Sequence, residues 1–228
     1  MAGDLPRAFD PGSRSRLGPR DLPRFTSGTL FDRLARVVCE ADCLPRKELY
    51  EAWEVARRTR RRFRGGRVVD LACGHGLLAL VMLVLDDTSP SAIAVDTRLP
   101  ASAAKLHEAI TTAWPRLSSR VELRSGKLED VVIGPEDLVV SVHACGALTD
   151  HVLASAMTAR ARISVLPCCH DEATCDTGAL RGWLDAPTAI DVTRALTLRA
   201  RGYAVHTQII PSEITPKNRL LLGDPVSS

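Results

Sequence analysis

The stretch VDLACGHGLLA, from Val69 to Ala79, constrains the fold more than any other part of the chain. A short β-branched strand, Val68–Leu71, leads into a turn with two glycines, and the apolar helix Leu77–Leu85 follows that turn. Glycine has no Cβ and adopts positive φ readily, so a turn of this kind lets a ligand approach the backbone closely. A strand, a glycine turn and a helix therefore predict a ligand site at one edge of an α/β sheet.

Strand and helix patterns alternate through the rest of the chain after residue 67. Six further strands are predicted at Ala92–Val95, Val121–Arg124, Asp137–Val142, Ile163–Leu166, Tyr203–Ile210 and Arg219–Leu222. Helices are predicted over Ala101–Trp114, from about Asp150 to Arg160, and over Ala189–Ala200. Repeated strand–helix units form a parallel sheet with helices on both faces, and the last two strands are close enough to pair as a hairpin. The prediction is an α/β fold with a Rossmann-like seven-stranded sheet, in a domain spanning residues 67–228.

The first 66 residues differ in sequence pattern from this domain. Residues 1–24 are rich in Pro, Arg and Gly without an apolar period, which predicts a flexible arm. Residues 25–66 predict a helical segment, with one helix starting after Thr29, a second opening at Pro45, and Gly65 ending it.

Positive charge is concentrated at the front of the chain. Residues 1–67 hold 16 Lys and Arg against 9 Asp and Glu, whereas the remaining residues hold 14 against 18. Six of the arginines end the second helix: Arg57, Arg58, Arg60, Arg61, Arg62 and Arg64. They suit a polyanionic partner such as RNA, because each phosphate contact releases counterions. The alternative is a solvated helix end, where positive side chains favour the helix dipole.

The composition indicates a globular intracellular protein. The longest apolar run, Leu77–Leu85, is far shorter than the roughly 20 residues of a membrane span, so no membrane contact is expected. The first residues carry no apolar stretch that would serve as a secretory signal. The seven cysteines, an odd number without regular spacing, are then expected to be reduced thiols in the cytoplasm. The oligomeric state is left open.

The ligand of the glycine turn can be narrowed from its charges. Asp96 closes the second strand 20 residues after Gly76, where a carboxylate can accept hydrogen bonds from a ribose diol. A dinucleotide fits the G-x-G-x-x-A spacing, but its pyrophosphate would meet the negative charge of Asp70. S-adenosylmethionine carries an ammonium and a sulfonium instead, so it is favoured, with an empty structural turn as the third possibility.

Two segments carry a family resemblance. VVDLACGHGLLA and AIAVD resemble the first and second motifs of the class I S-adenosylmethionine-dependent methyltransferases. The resemblance implies the seven-stranded methyltransferase sheet and S-adenosylmethionine as cofactor, with the methionine moiety beside the glycine turn, the ribose on Asp96 and the adenine near residues 125–128. The cofactor-binding residues it implies are Asp70, Ala72, Cys73, Gly74, Gly76, Asp96, Thr97, Gly126, Lys127, Leu128 and Ser141.

Cysteine and histidine residues follow the fourth and fifth strands, in HACGALTD and LPCCHDE. The carboxyl ends of neighbouring parallel strands meet at one edge of the sheet, so these side chains can converge near the transferable methyl group. The candidate catalytic residues are His143, Cys145, Cys168 and His170. A histidine can orient or deprotonate an acceptor, and a cysteine can attack a pyrimidine ring.

Two other interpretations of the cluster stay open. Small cysteines can simply pack tightly under the cofactor, with one histidine as a core donor. Zinc is bound by the same residue types, but CCH lacks the C-x-x-C chelate, so no metal is predicted.

HACGALTD, LPCCH and the late IIPSEITPKNR, residues 209–219, together resemble one branch of the same superfamily. That branch includes the acceptor-stem tRNA 2′-O-methyltransferases and the methyltransferase-like part of the glutathione S-transferase C-terminal domain-containing protein. Val142 stands where the tRNA enzymes have Lys, and Asp171 where they have a second His. The resemblance implies an RNA acceptor, tRNA or rRNA, without fixing the methylated atom. A small-molecule methyltransferase and a non-catalytic binding module are the alternatives.

Overall fold

Seven strands form one mixed sheet in the computed structural model, which describes residues 9–226. The strands are β1 (Val68–Leu71), β2 (Ala92–Asp96), β3 (Val121–Ser125), β4 (Leu138–Ser141), β5 (Arg162–Val165), β6 (Tyr203–Ile209) and β7 (Arg219–Pro225). Their order across the sheet is β3-β2-β1-β4-β5-β7-β6. The first five strands are parallel, and β7 runs antiparallel between β5 and β6. The predicted Rossmann-like seven-stranded sheet is confirmed.

Helices cover both faces of this sheet. They are α1 (Leu30–Ala41), α2 (Arg46–Arg62), α3 (Leu77–Leu85), α4 (Ala103–Ala113), α5 (Ala147–Ala159) and α6 (Ala186–Ala200). Successive side chains of a strand point to opposite faces, so Val68 packs in the cluster under α1–α4, and Val69 in the cluster under α5 and α6. None of the helices within residues 9–226 combines the length and apolar character needed to cross a bilayer.

The starts of α5 and α6 lie three residues ahead of the predicted ones. Helix α6 begins behind Asp185, whose carboxylate accepts a hydrogen bond from the Thr188 N–H at 3.0 Å. An N-cap of this kind holds the first turn without help from apolar periodicity. The pattern of apolar residues alone therefore places the start of this helix too late.

Residues 9–24 do not form the expected flexible arm. They pack against the helical segment. Leu17 is fully buried, and its N–H donates to the Leu44 carbonyl at 2.9 Å. Residues 19–24 form a short 3₁₀-helix, and the guanidinium of Arg46 lies 3.7 Å from the centre of the Phe9 ring. Single apolar residues without a period anchor this stretch, so the sequence pattern does not show it. Residues 1–8 of the predicted arm lie outside the described residues.

Candidate functional site

The turn after β1 has the backbone of a ligand site. Ala72, Gly74 and Gly76 all have positive φ, at 55°, 58° and 72°. A non-glycine residue in this region costs on the order of 1–3 kcal/mol, and such strain clusters at functional sites. A Cβ built on Gly74 finds one described atom within 4 Å, Cδ2 of His143 at 3.5 Å. The space beside Gly74 is therefore open, and a ligand can approach the backbone there.

Gly76 has a different reason to be glycine. A Cβ at this position would lie 2.6 Å from Cδ2 of Leu123 and 3.3 Å from Cβ of Ala94. The predicted contact of Gly76 with the methionine moiety is therefore not what requires a glycine here. Close packing of the turn against β2 and β3 does.

The Asp70 side chain stabilises the turn from below. Its carboxylate is buried and accepts a hydrogen bond from the Ala79 N–H, in the first turn of α3, at 3.1 Å. Burial, with a smaller contribution from the charge of Asp96, raises the pKa of Asp70 to about 8. Cys73 beside it is also buried, which raises the pKa of its thiol. The side chains of Asp70 and Cys73 therefore both lie on the buried side of the turn.

Asp96 lies at the end of β2, facing the glycine turn. Its Oδ2 accepts the Gly74 N–H at 2.9 Å, and its Oδ1 accepts the Arg98 N–H at 3.1 Å. Thr97 beside it is exposed. Two backbone N–H groups thus hold the carboxylate at the edge of the sheet, at the point where a ribose diol is expected.

The segment after β3 divides between surface and core. The Gly126 N–H donates to the carbonyl of Asp96 at 3.0 Å, and no described atom lies within 4 Å of a Cβ built on Gly126. Lys127 is exposed, but Leu128 is buried in the core under α5 and α6. Leu128 is thus a packing residue, in contrast to the predicted cofactor contact.

Ser141 is also a structural residue. Its hydroxyl is fully buried and donates to the carbonyl of Leu71 at 2.7 Å, which ties β4 to the end of β1. Because its only proton is used inside the sheet and the residue is fully buried, the Ser141 hydroxyl is not available as a donor to the cofactor, and its predicted contact stays a prediction.

A small cavity of about 10 Å³, roughly the space of one water, lies between the glycine turn and α2. Besides Asp70 and Cys73, three titratable side chains line it: Glu48, His75 and His143. Burial and the charge of Glu51 raise the pKa of Glu48 to about 7, and burial lowers the pKa of both histidines. His75 Nδ1 lies 3.7 Å from Glu48 Oε2, and its Nε2 is 3.0 Å from the Ser102 hydroxyl.

Glu48 and His75 are the members of this site that sequence reasoning misses. His75 stands between the two glycines of the turn, which is a signal that could have identified it. Glu48 belongs to the N-terminal helical segment, and nothing in its surroundings in the sequence sets it apart. The fold brings it to the site because α2 starts at the edge of the sheet where β1 ends.

The thiols of Cys145 and Cys168 meet at the ends of β4 and β5, and Cys169 joins them. Cys145 Sγ lies 2.9 Å from Cys168 Sγ and 3.1 Å from Cys169 Sγ. Cys145 and Cys169 are exposed and Cys168 is half-buried. The predicted convergence of cysteines is therefore observed, and exposure argues against a role in packing the core.

His170 points away from this group. Its Nε2 lies 2.8 Å from Oδ1 of Asp191 on α6, and its side chain is 1% exposed. Asp191 also accepts a hydrogen bond from Arg219 Nε at 2.7 Å. His170 thus belongs to a buried polar network under α6, which contradicts its predicted catalytic role.

A mainly apolar cavity lies beside this network, not at the glycine turn. Its volume is about 540 Å³, and it is bounded by α6 and by the β6–β7 pair. Its walls include Asp191, Ile209 and Arg219 but none of the residues of the glycine turn. Size alone therefore does not identify the reactive site of this chain.

The arginine-dense end of α2 lies at the opposite edge of the sheet. Arg60 is buried, with Nη1 3.0 Å from Oδ2 of Asp86 behind α3. Arg162, which opens β5, donates to the carbonyl of Arg64 at 2.8 Å. Glu48 and Arg60 are 12 residues apart on one helix, which corresponds to about 18 Å. The predicted route for RNA through this cluster is not supported, because several of its arginines are ion-paired and the cluster is remote from the site.

A family model described as a methyltransferase domain matches residues 47–176, more than half of the chain. The chain belongs to this methyltransferase family. The family match supports S-adenosylmethionine as the cofactor, the ligand predicted from the glycine turn and Asp96. The matched region starts inside α2, so the family's domain includes Glu48 as well as the sheet residues of the site.

Solved structures of other methyltransferases share the fold. An O-methyltransferase family protein from Burkholderia thailandensis superposes with a TM-score of 0.54 at 21% identity, over 91% of this chain and 63% of that one. The tRNA m1A22 methyltransferase TrmK of B. subtilis gives 0.52 at 16% identity, over 77% and 65%. The chain thus spans less than two thirds of the length of either. Among curated proteins, no sequence matches the chain significantly.

A third structure adds the cofactor product. Magnesium protoporphyrin IX methyltransferase (ChlM) from Synechocystis, with bound S-adenosylhomocysteine, superposes with a TM-score of 0.54 at 12% identity, over 89% of this chain and 97% of that one. TrmK and ChlM act on different kinds of acceptor, a tRNA and magnesium protoporphyrin IX. The class I methyltransferase fold of this chain is thereby confirmed. The resemblance to the acceptor-stem tRNA enzymes stays a prediction.

Proposed function

We propose that this methyltransferase acts on RNA, bound along the exposed edge where β2, β3, β4 and β5 end. The observation that carries the proposal is the exposure of that edge: Thr97, Arg98, Lys127, Cys145 and Cys169 all face solvent. A polymer can reach such an edge directly, whereas a small acceptor is usually enclosed in a pocket. TrmK, which shares the fold, acts on tRNA, and the resemblance to the acceptor-stem tRNA enzymes agrees with this choice.

The residues of the turn fit the cofactor. The open space beside Gly74 admits the methionine moiety, and the Asp96 carboxylate can accept hydrogen bonds from two ribose hydroxyls. Thr97, Gly126 and Lys127 border the adenine side, with Ala72 and Gly74 on the methionine side. When bound, S-adenosylmethionine supplies a methyl group on a positively charged sulfur.

His143 is the proposed catalytic residue. Its ring borders the open space at Gly74, and burial lowers its pKa, so the imidazole is neutral at pH 7. A neutral imidazole can accept the proton that an acceptor hydroxyl or amine loses as the methyl group is transferred. Glu48 and His75 border the same small cavity and act as positioning residues for it.

The proposed phosphate contacts are Arg98 and Lys127, in place of the arginines of α2. Both side chains are exposed on the edge that carries Asp96 and the thiols. They flank the carboxylate of Asp96 on the cofactor side, where they can hold backbone phosphates of an RNA acceptor. The cytoplasmic location stays a prediction from the reduced thiols.

Transfer of labelled methyl from S-adenosylmethionine to a total RNA pool tests the proposal. Parallel pools hold protein and small metabolites, and Asp96→Ala serves as the cofactor-site control. We expect label in RNA that disappears in Asp96→Ala, is reduced about tenfold in the Arg98→Glu/Lys127→Glu double variant, and is unchanged in Arg61→Glu. Label in metabolites alone would identify a small-molecule methyltransferase instead.

A further inference from the structure

The strongest unassigned feature of the molecule is the group of three thiols at the ends of β4 and β5. Sγ of Cys145 lies 2.9 Å from that of Cys168 and 3.1 Å from that of Cys169, and the last two are 3.8 Å apart. All three sulfur atoms lie within 4.8 Å of one another. Within residues 9–226, no further His, Cys, Asp or Glu ligand atom joins this group.

Packing does not explain this arrangement. Cys145 and Cys169 are exposed, so neither thiol fills space in the core. Apart from the other two thiols, Cys168 Sγ has one hydrogen-bonding partner among the described residues, the Ala144 carbonyl at 3.8 Å. Three side chains that point at one spot near the surface lose rotamer entropy, and a shared ligand would offset that loss.

The spacing of the sulfur atoms suits a zinc ion. With Zn–S distances of about 2.3 Å and tetrahedral angles, bound sulfur atoms are about 3.8 Å apart. Cys168 and Cys169 already have this separation, and Cys145 needs to move outward by less than about 1 Å from each. Residues 166–170 form no helix or strand, so the loop that carries Cys168 and Cys169 can follow the ion.

CCH lacks the C-x-x-C chelate because Cys168 and Cys169 are adjacent. In a regular strand, neighbouring side chains point to opposite faces and could not share one ion. Strand β5 ends at Val165, and the loop after Pro167 turns both thiols to the same side, toward Cys145. The adjacency therefore does not prevent chelation here.

We propose that Cys145, Cys168 and Cys169 bind one Zn²⁺ as thiolates, with the fourth position open to solvent at the acceptor edge. Binding releases three thiol protons to the solvent and leaves the metal oxidation state unchanged. Three protein ligands with an open fourth position are typical of zinc sites that contact a substrate. The ion would also tie the loop after β4 to the loop after β5. Its ligand Cys145 is two residues from His143, and β4 is the strand next to β1.

Cobalt(II) is the probe for this site, because tetrahedral thiolate ligation gives intense charge-transfer absorption and visible d–d bands. The full chain is kept under a phosphine reductant, freed of metal with a chelator and titrated with Co²⁺ and then with Zn²⁺. We expect one Co²⁺ per chain with a thiolate spectrum, and its displacement by one equivalent of Zn²⁺. Each single change Cys145→Ser, Cys168→Ser and Cys169→Ser is expected to weaken binding by at least about tenfold.

Cys43→Ser is the matched control, since this half-buried thiol lies between α1 and α2. It should leave the cobalt spectrum and the affinity unchanged, and a thermal melt should show all four variants folded without metal. The proposal is overturned if the reduced wild-type chain shows no thiolate-to-cobalt band, or if the Cys169→Ser variant binds as tightly as the wild type. Since the readout is metal binding, it does not depend on whether RNA is the acceptor.

Discussion

The carboxylate of Asp96 accepts a hydrogen bond from the Gly74 N–H at 2.9 Å and so joins the end of β2 to the glycine turn after β1. The two residues are 22 positions apart in the chain, but parallel pairing of β1 and β2 brings their ends together. A second N–H, from Arg98, holds the other carboxylate oxygen at 3.1 Å. The group expected to bind the ribose is therefore fixed in place before any ligand arrives, which reduces the entropic cost of binding.

Replacement of the two glycines of the turn is predicted to affect different properties, ligand affinity at Gly74 and stability at Gly76. Gly74→Ala puts a methyl group into the open space beside His143, so it should weaken binding of S-adenosylhomocysteine by about tenfold and cost about 1 kcal/mol of stability from its positive φ. Gly76→Ala also forces a Cβ against Leu123, so it should cost about 2–4 kcal/mol of unfolding free energy. Calorimetric titration and urea unfolding of both variants separate the two effects, and equal losses of stability would contradict this assignment.

Replacement of the two histidines of the predicted cluster should affect turnover to different extents. His143→Ala is expected to lower turnover by about 10²–10⁴-fold with little change in cofactor affinity, because it removes the proposed proton acceptor. His170→Ala removes a buried partner of Asp191 and should lower the melting temperature, with turnover reduced less than about tenfold. Single-turnover rates at saturating cofactor give the comparison, and a larger kinetic loss in His170→Ala would reverse the roles.

Glu48 gives a prediction about pH. Its pKa is raised from 4.5 to about 7 in the folded chain, so between these values the unfolded chain releases a proton that the folded chain keeps. The stability that this group contributes is present below pH 4.5 and is lost as the pH rises toward 7. Glu48→Gln should therefore stabilise the chain more at pH 7.5 than at pH 4.5, by up to about 3 kcal/mol.

Urea unfolding of the wild type and Glu48→Gln at both pH values measures this difference. Glu40→Gln is the control for the loss of a carboxylate, because Glu40 is exposed on α1. The same stability difference at pH 4.5 and pH 7.5 would show that the carboxyl of Glu48 titrates normally.

The arginine-dense end of α2 is predicted to matter for stability. Arg60 is 2% exposed, and besides the ion pair with Asp86 it donates to the Met82 carbonyl at 3.1 Å and to the Ser89 hydroxyl at 2.8 Å. Arg60→Ala leaves these buried groups without a partner and should cost about 3–5 kcal/mol. Arg61→Ala, at an exposed position, should change the free energy of unfolding by less than about 0.5 kcal/mol. If both variants have equally small effects in urea unfolding, the arginines are those of a solvated helix end and do not stabilise the fold.

The fold could be predicted from the sequence because its signals are local. Buried parallel strands are short apolar runs, and the glycine turn stands directly between β1 and α3. Caps and isolated anchors leave no periodic signal, and for that reason the start of α6 at Asp185 and the burial of Leu17 were missed.

The site was predicted only in part, because side-chain direction is decided by contacts distant in the chain. His143 and Cys145 follow β4 directly, and their place at the edge follows from strand order. His170 lies in the loop after β5 that carries Cys168, yet Asp191, 21 residues later, draws it under α6. Glu48 reaches the site from a helix ahead of the sheet, and a single sequence carries no record of such a distant contact.

The most direct test of the central claim is calorimetric titration of S-adenosylhomocysteine into the wild type, Asp96→Asn and Asp87→Asn. Asparagine keeps the shape of the Asp96 side chain but removes the charge that accepts the ribose hydrogen bonds. Asp87 is 71% exposed behind α3, at the far edge of the sheet, and serves as the matched control. We predict one site per chain, an affinity about tenfold to a hundredfold weaker in Asp96→Asn, and no change in Asp87→Asn. Equal affinity in the wild type and Asp96→Asn would contradict the placement of the cofactor at the Gly74–Asp96 edge.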